Sequence, residues 1–146
     1  MVIVGQWLKG LDGVARPMIR AKVKSLDGIS IEDIFLVDIG ADRTVFSAHF
    51  FTALEVPSRS PSAGMMLEGI SGMCPFVCVD TSLIFTRENG TSVQVHGELA
   101  AFTDPNATDF SILGRDVLNN FDVIISRQRN EVLLLAPNHR YQVIQD

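Results

Sequence analysis

The chain has 146 residues, 47% of them hydrophobic, with a formal net charge of −5 and a pI near 5.1. That length suits one domain with its own core and leaves little room for two catalytic lobes, while the acidic balance gives no attraction to a phosphate backbone, so nucleic acid is not an expected partner. No apolar run approaches the roughly 18–20 residues that span a bilayer, and the opening Met1-Val2-Ile3-Val4-Gly5-Gln6 is too short for a secretory h-region, so a cytoplasmic chain without membrane association is expected.

Residues 1–15, with a Val-Ile-Val run, Trp7 and the turn signal Leu11-Asp12-Gly13, read as a peripheral strand or N-terminal arm. Pro17 to Lys24 alternates loosely, Leu26-Asp27-Gly28 supplies a turn, and Ile29 to Val37 returns as a second strand of a hairpin. That strand ends in four apolar residues, Ile34-Phe35-Leu36-Val37, which deliver Asp38 into the turn Ile39-Gly40-Ala41. Such a run reads as buried on both faces, and an ionised carboxylate at its end costs several kcal/mol unless compensated.

Ser47 caps a predicted helix to about Leu54, with Phe50, Phe51 and Leu54 at helical spacing and His49 on the solvent side; Pro57 ends it. Residues 57–64 form a surface loop. Met65 to Glu68 and the run to Val79 are strands separated by Gly69-Ile70-Ser71-Gly72, a hairpin tip that glycine allows to bend. Ser82–Thr86 and Ser92–Phe102 pair around Asn89-Gly90, with His96 on the surface. After the loop 103–108 come a strand Phe110-Ser111-Ile112-Leu113, the junction Gly114-Arg115-Asp116 and about two helical turns through Asn120. Asp122–Ser126 and Glu131–Ala136 make a last hairpin; in the tail 137–146, Tyr141-Gln142-Val143-Ile144 is a further edge-strand candidate. The pattern is all-β, a closed or sandwiched barrel with two short helices.

Three scattered histidines, no HExxH, no paired CxxC and no Gly-Lys-Ser/Thr loop leave neither a metal nor a cofactor expected. Cys74 and Cys78 lie roughly 13 Å apart in an extended strand, beyond the ~7 Å limit for a disulfide, and read as small hydrophobes. Carboxylates and hydroxyls remain to carry chemistry.

The segments Phe35-Leu36-Val37-Asp38-Ile39-Gly40-Ala41-Asp42-Arg43-Thr44-Val45, Gly69-Ile70-Ser71-Gly72 and Ile112-Leu113-Gly114-Arg115-Asp116-Val117-Leu118 together resemble the retropepsin-like aspartic proteases. The first resembles that family's Asp-Thr-Gly-Ala motif, the last its Ile-Leu-Gly-Arg-Asp/Asn-x-Leu motif, in the same order and at similar separation. The resemblance covers about residues 17 to 135 and implies a one-lobe protease domain over 16–136, with an acid-protease barrel, a flap at Gly69, Ile70, Ser71 and Gly72, and activity as a homodimer on a peptide or protein substrate. It implies Asp38 as the catalytic residue, Ile39, Gly40 and Ala41 as its loop, and Arg115 and Asp42 as a structural pair tying the helix junction to that loop. Asp80-Thr81-Ser82 is a superficial second motif without an apolar strand-to-glycine setting. Asp116, at a helix start, suits capping of amides.

Ile39 departs from the family, which has Thr or Ser there, with a hydroxyl that bonds across the dimer axis. The readings that follow are an aspartic endopeptidase with an Asp38 dyad, a retropepsin-fold peptide-binding or assembly module that has lost catalysis, and an unrelated β-barrel ligand-binding domain.

Overall fold

The computed structural model describes residues 2–62, 65–70 and 72–136. The first predicted hairpin forms from β3 (Ala15–Lys24) and β4 (Ser30–Val37), antiparallel from Met18↔Leu36 to Lys24↔Ser30. Alternation sets its faces: Ile19, Ala21 and Val23 are buried, whereas Arg20, Lys22 and Lys24 point to solvent. The long hairpin β8 (Phe76–Thr86) and β9 (Ser92–Phe102) turns at Asn89-Gly90, and Lys22↔Ile84 brings β8 back to β3. With β5 (Val45–Phe46) and β10 (Ser111–Leu113), the order β3-β4-β10-β5-β9-β8 closes a six-stranded barrel, and β2 (Gln6–Lys9) flanks β3.

A separate three-stranded sheet joins the chain's beginning to its last strands. β1 (Val2–Val4) pairs with β12 (Glu131–Leu135), which pairs with β11 (Asp122–Ser126). The Trp7 indole N–H reaches the Ser126 and Glu131 carbonyls at 3.2 and 3.1 Å, linking this sheet to β2. The candidate edge strand at 141–144 lies outside the described residues.

Two elements are shorter, and one longer, than the sequence pattern suggests. The glycine hairpin consists only of β6 (Leu67–Gly69) and β7 (Gly72–Cys74), because Pro75 interrupts the ladder before Phe76. Beyond it, β8 runs unbroken through Asp80-Thr81, which pair with Glu98 and Gly97 in the β8–β9 ladder. The second helix, α2 (Arg115–Leu118), is a single turn: Asn119 and Asn120 follow, and the Asn120 side-chain amide donates to the Val117 carbonyl at 3.0 Å, competing with continuation.

The helix after β5, α1 (Ala48–Leu54), begins as expected, with Ser47 Oγ accepting from the Phe50 N–H at 3.2 Å. It seats Phe50 against Phe35 and Phe46, three rings packed edge to face with centroids 5.4 to 6.3 Å apart. Each such ring buries about 150–250 Å² and the edge-to-face geometry adds roughly 0.5–1.5 kcal/mol per pair. The cluster fixes β4 and β5, the two strands that flank the Asp38 turn.

On the barrel's outer face, Asp80 stands directly opposite Glu98 in the ladder, an arrangement of like charges that destabilises a strand pair. Arg59 resolves it. Its backbone pairs with Cys78 in both directions, at 3.0 and 2.8 Å, and its guanidinium bridges Asp80, at 2.6 Å, and Glu98. The Arg59 hydrogen bond holds the Asp80 carboxyl below its ordinary 3.8. Glu98 is held below 4.5 first by a hydrogen bond from the Cys78 thiol and then by Arg59. Because both folded-state values are depressed, this stabilisation is complete above the ordinary carboxylate range and is lost as the pH falls through the folded values. An Arg59→Gln variant is therefore expected to be less stable than the native chain above about pH 5, and to lose less stability on acidification, the two converging by about pH 2. Urea midpoints across that range test this, and parallel pH profiles would refute it.

Candidate active site

The apolar run that ends in Asp38 is buried because β10 lies beside it. Ser111, Ile112 and Leu113 pair in parallel with Phe35, Leu36 and Val37, and β10 is flanked on its other side by β5 through Ile112↔Val45. Parallel strands finish at the same edge, so the turn after β4 and the junction after β10 emerge side by side. Ser111, itself 1% exposed, secures the base of this arrangement: its hydroxyl donates to Asp33 at 2.6 Å and accepts from the Ser47 N–H at 3.0 Å.

Asp38 is the first residue beyond the ladder. Its N–H still donates to the Leu113 carbonyl at 3.1 Å, but its side chain is only half buried, which lowers the desolvation cost foreseen from the sequence. Oδ1 accepts the Gly40 N–H at 3.0 Å, and a Cβ at Gly40 would crowd that oxygen at 3.3 Å. The Ala41 N–H closes the turn on the Asp38 carbonyl at 3.2 Å. Ile39 projects outward, 61% exposed.

The turn is clamped from below by the junction 114–116. Arg115 N–H donates to the Ala41 carbonyl at 2.8 Å. Thr44 is fully buried: its N–H donates to both Asp116 oxygens at 2.9 and 3.0 Å, its hydroxyl donates to Oδ1 at 2.7 Å, and the same hydroxyl accepts the Gly114 N–H at 3.0 Å. Asp116 also receives the Val117 N–H at 2.8 Å, the amide capping expected of it. Gly114 permits the approach: a Cβ there would lie 2.5 Å from the Arg43 carbonyl carbon and oxygen. Arg115 and Asp42 do meet, but they are 51% and 80% exposed, and such a pair is worth about 0–1 kcal/mol.

Thr44 was not singled out in the sequence, although a hydroxyl residue entering the buried pair Val45-Phe46 was the available sign. Arg43, Leu67 and Glu68 were likewise passed over, and they join Asp38 around a cleft. This cleft, of about 360 Å³, lies between the 38–45 segment and β6, with Ile112 at its floor. A second cavity of about 340 Å³ continues past Glu68, Gly69 and Ile70 to Ala107 and Phe110. The hairpin is anchored there by Ile70 N–H on the Ala107 carbonyl at 2.8 Å, and Gly72 adopts φ +119°, a conformation that side chains rarely reach. Ile70 is 70% exposed, and Ser71 lies outside the described residues. A larger cavity of about 570 Å³ near β2 and α1 includes neither Asp38 nor the hairpin.

Asp80 is held by Arg59 on β8 and does not line the cleft. His49 and His96 are exposed, and Cys74 and Cys78 are buried free thiols; burial, then the Glu98 carboxylate, raises the Cys78 pKa and keeps it protonated. Among the described residues no group of three or more His, Cys, Asp or Glu side chains could hold a metal, and no helix is long and apolar enough to cross a membrane.

The two ties at the junction are separable. Thr44→Val keeps the shape, removes a bond to a carboxylate and strands the buried Gly114 N–H, so a loss of about 2–4 kcal/mol is expected, against at most about 1 kcal/mol for Arg115→Ala. Chemical denaturation at one fixed protein concentration measures both, and equal losses would show that the exposed ion pair carries the junction instead.

With this geometry in hand, the chain can be set beside known proteins. The family model for retroviral aspartyl protease matches residues 14–126. No curated protein matches significantly. Among solved structures, a retropepsin-like aspartic protease from Rickettsia conorii superposes with a TM-score of 0.52 at 17% identity, covering 92% of this chain and 88% of that one. The EIAV protease complexed with the inhibitor HBY-793 gives 0.50 at 20% identity, covering 71% of this chain and 86% of that one. These likenesses agree with the six-stranded barrel, and the family match spans well over half of the sequence. The chain belongs to the retroviral aspartyl protease family.

Proposed function

We propose that this chain is an aspartic endopeptidase whose catalytic unit is a homodimer pairing Asp38 with Asp38 of a second copy. The observation that carries this reading is the placement of Asp38: one carboxylate, at the edge where β4 and β10 end together, with Oδ1 already receiving the Gly40 N–H and its side chain open to the cleft under the β6–β7 hairpin. One carboxylate is not enough. Hydrolysis of a peptide by this chemistry needs a base for water and an acid for the carbonyl oxygen.

Two copies supply both. At about 3 Å and an effective dielectric near 20, two carboxylates repel by roughly 5–6 kcal/mol, so the pair retains one proton between them. The ionised member takes a proton from water as its oxygen attacks the scissile carbonyl carbon, and the protonated member gives its proton to the carbonyl oxygen. In the collapse of the diol the carboxyl that took water's proton gives it to the nitrogen, the other carboxylate takes a proton from a diol hydroxyl, and the C–N bond breaks to release amine and acid. The roles are interchangeable until an asymmetric peptide binds.

Exposed apolar side chains support a partner and an extended substrate. Ile39 is 61% exposed beside the carboxylate, and Ile70 and Met73 on the hairpin are 70% and 60% exposed. Apolar surface clustered at a cleft marks a place to be covered. The hairpin acts as the flap, with Ile70 closing over bound peptide. Asp42 and Arg115 support the loop without entering the reaction.

Ile39 gives the second reading its one specific support, because it lacks the hydroxyl of Thr or Ser: the same dimer binding peptide without cleaving it. The experiment that separates the two incubates the full chain with a peptide library from acidic to neutral pH beside Asp38→Asn. Cleavage that falls at least about 100-fold in the variant is expected; cleavage absent in both, or equal in both, overturns the endopeptidase. A companion Ile39→Thr variant is expected to tighten the dimer or raise kcat/KM by about tenfold, equivalent to one added hydrogen bond of about 1.4 kcal/mol. Sedimentation and peptide kinetics read these two effects, and no gain in either would mean that residue 39 is not the limiting contact.

A further inference from the structure

Charged side chains in the cleft are unequally committed. Asp42 contacts Arg115. Arg43 stacks over Phe76, its guanidinium carbon 5.0 Å from the ring centroid, and lies 3.6 Å from Glu98. Glu98 in turn is bridged by Arg59, so Arg43 belongs to a wall whose charges balance: Arg43 and Arg59 against Glu98 and Asp80. Glu68 differs. It lies on β6, it is exposed, it lines both the Asp38 cleft and the cavity beyond it, and it makes no ion pair among the described residues.

Its position on the strand also matters. Leu67 and Glu68 alternate across the ladder, and both border the cleft while Met73 faces Glu68 across the hairpin. Glu68 and Ile112 line both cavities and Leu67 and Val45 line the first, so an extended peptide there meets apolar walls, the Asp38 carboxylate and, at Glu68, a further negative charge that no described cation pairs. The complement of that surface is an aliphatic chain ending in a cation.

Resting on the endopeptidase reading above, we infer that Glu68 is a specificity-determining residue that selects a lysine or arginine side chain close to the scissile bond, in a peptide otherwise apolar. The stem of that side chain runs along Ile112, which lines both cavities with Glu68, and its charge meets Glu68. This pairing forms only with substrate, at the flap, so it couples flap position to substrate charge.

The test reads binding apart from catalysis. Fluorescein-labelled apolar octapeptides carrying one Lys, Gln or Glu at successive positions are titrated into the full-length Asp38→Asn protein by anisotropy. That variant also removes the Asp38 charge, so a preference for Lys cannot come from it. At one or two positions, Lys is expected to bind about tenfold tighter than Glu, with the ratio shrinking as salt is raised. Glu68→Gln in the same background is expected to reduce it to about twofold or less, and Glu68→Lys to invert it. A Lys preference untouched by Glu68→Gln, a preference for Glu in the parent, or no peptide binding at all overturns the inference. Failure of the native chain to cleave any of these peptides sinks the catalytic reading alone, because the titrations still report on Glu68; cleavage without charge preference sinks Glu68 alone.

Discussion

Everything near Asp38 depends on Thr44 being buried. Its hydroxyl accepts from Gly114 and donates to Asp116, and its amide donates to both oxygens of the same carboxylate. Thr44 and Gly114 are buried while Asp116 itself is exposed, so the cost of breaking this cluster falls on the buried N–H groups that would be left without a partner. The turn 38–43 is thus held at both ends, by β4 pairing with β10 at its start and by Thr44 at its finish. Between these ends Ile39, Gly40 and Asp42 are exposed, and Asp42 meets Arg115.

The sequence was legible where a residue's type answers to a local rule. Alternation in β3, the Asn89-Gly90 turn and Ser47 at the start of α1 needed no tertiary information. The Asp38 turn and the Gly114 junction were recognisable as a pair, and Asp116 as a capping residue. Less accessible was anything set by contact between distant segments. No pattern in Ser111-Ile112-Leu113 says that it pairs in parallel with Phe35-Leu36-Val37, since that neighbourhood is set by contacts between distant segments, among them Phe50 of α1 packed on Phe35 of β4 and Phe46 of β5. Residues 80 and 98 meet through the register of the β8–β9 hairpin, but Arg59 reaches them from a separate segment, so the bridge between them appears only in the fold. Thr44 and Glu68 were overlooked because their neighbours, Asp38 and the glycine hairpin, carried the stronger signal.

The barrel and the cleft divide the charged residues between two jobs. On the outer face, Arg59 makes a strand pair tolerable that like charges would otherwise oppose, and through Glu98 this reaches Arg43 on the cleft wall. The stability of the β8–β9 pair and the charge balance at the cleft wall are therefore linked by one carboxylate. Glu68 stands outside this network, on the short β6–β7 hairpin, which makes no β-ladder with a barrel strand and packs on the barrel through Leu67 and Cys74.

Ile39 can be weighed more closely than the sequence alone allowed. A missing hydroxyl is costly, at about 1–3 kcal/mol, only where it leaves a buried group without a partner. In this turn the N–H groups of Asp38, Gly40 and Ala41 are already satisfied within the chain, by Leu113, the Asp38 carboxylate and the Asp38 carbonyl. The Ala41 carbonyl is taken by Arg115. The turn holds its shape without help from residue 39, which places the cost of isoleucine at the lower end of that range. Against it stands the side chain itself, 61% exposed in the single chain. Burial of an isoleucine from full exposure returns about 1.5–3 kcal/mol, so in the proposed homodimer covering most of two of them across a two-fold axis would be of the same order as what two missing hydroxyls remove. In the proposed homodimer, isoleucine at this position would exchange a directional tie between the two turns for an apolar one, and an apolar tie fixes distance more firmly than orientation. Its burden falls on the alignment of the two carboxylates, which is why peptide turnover, more than dimer formation, is the sensitive measure of this substitution.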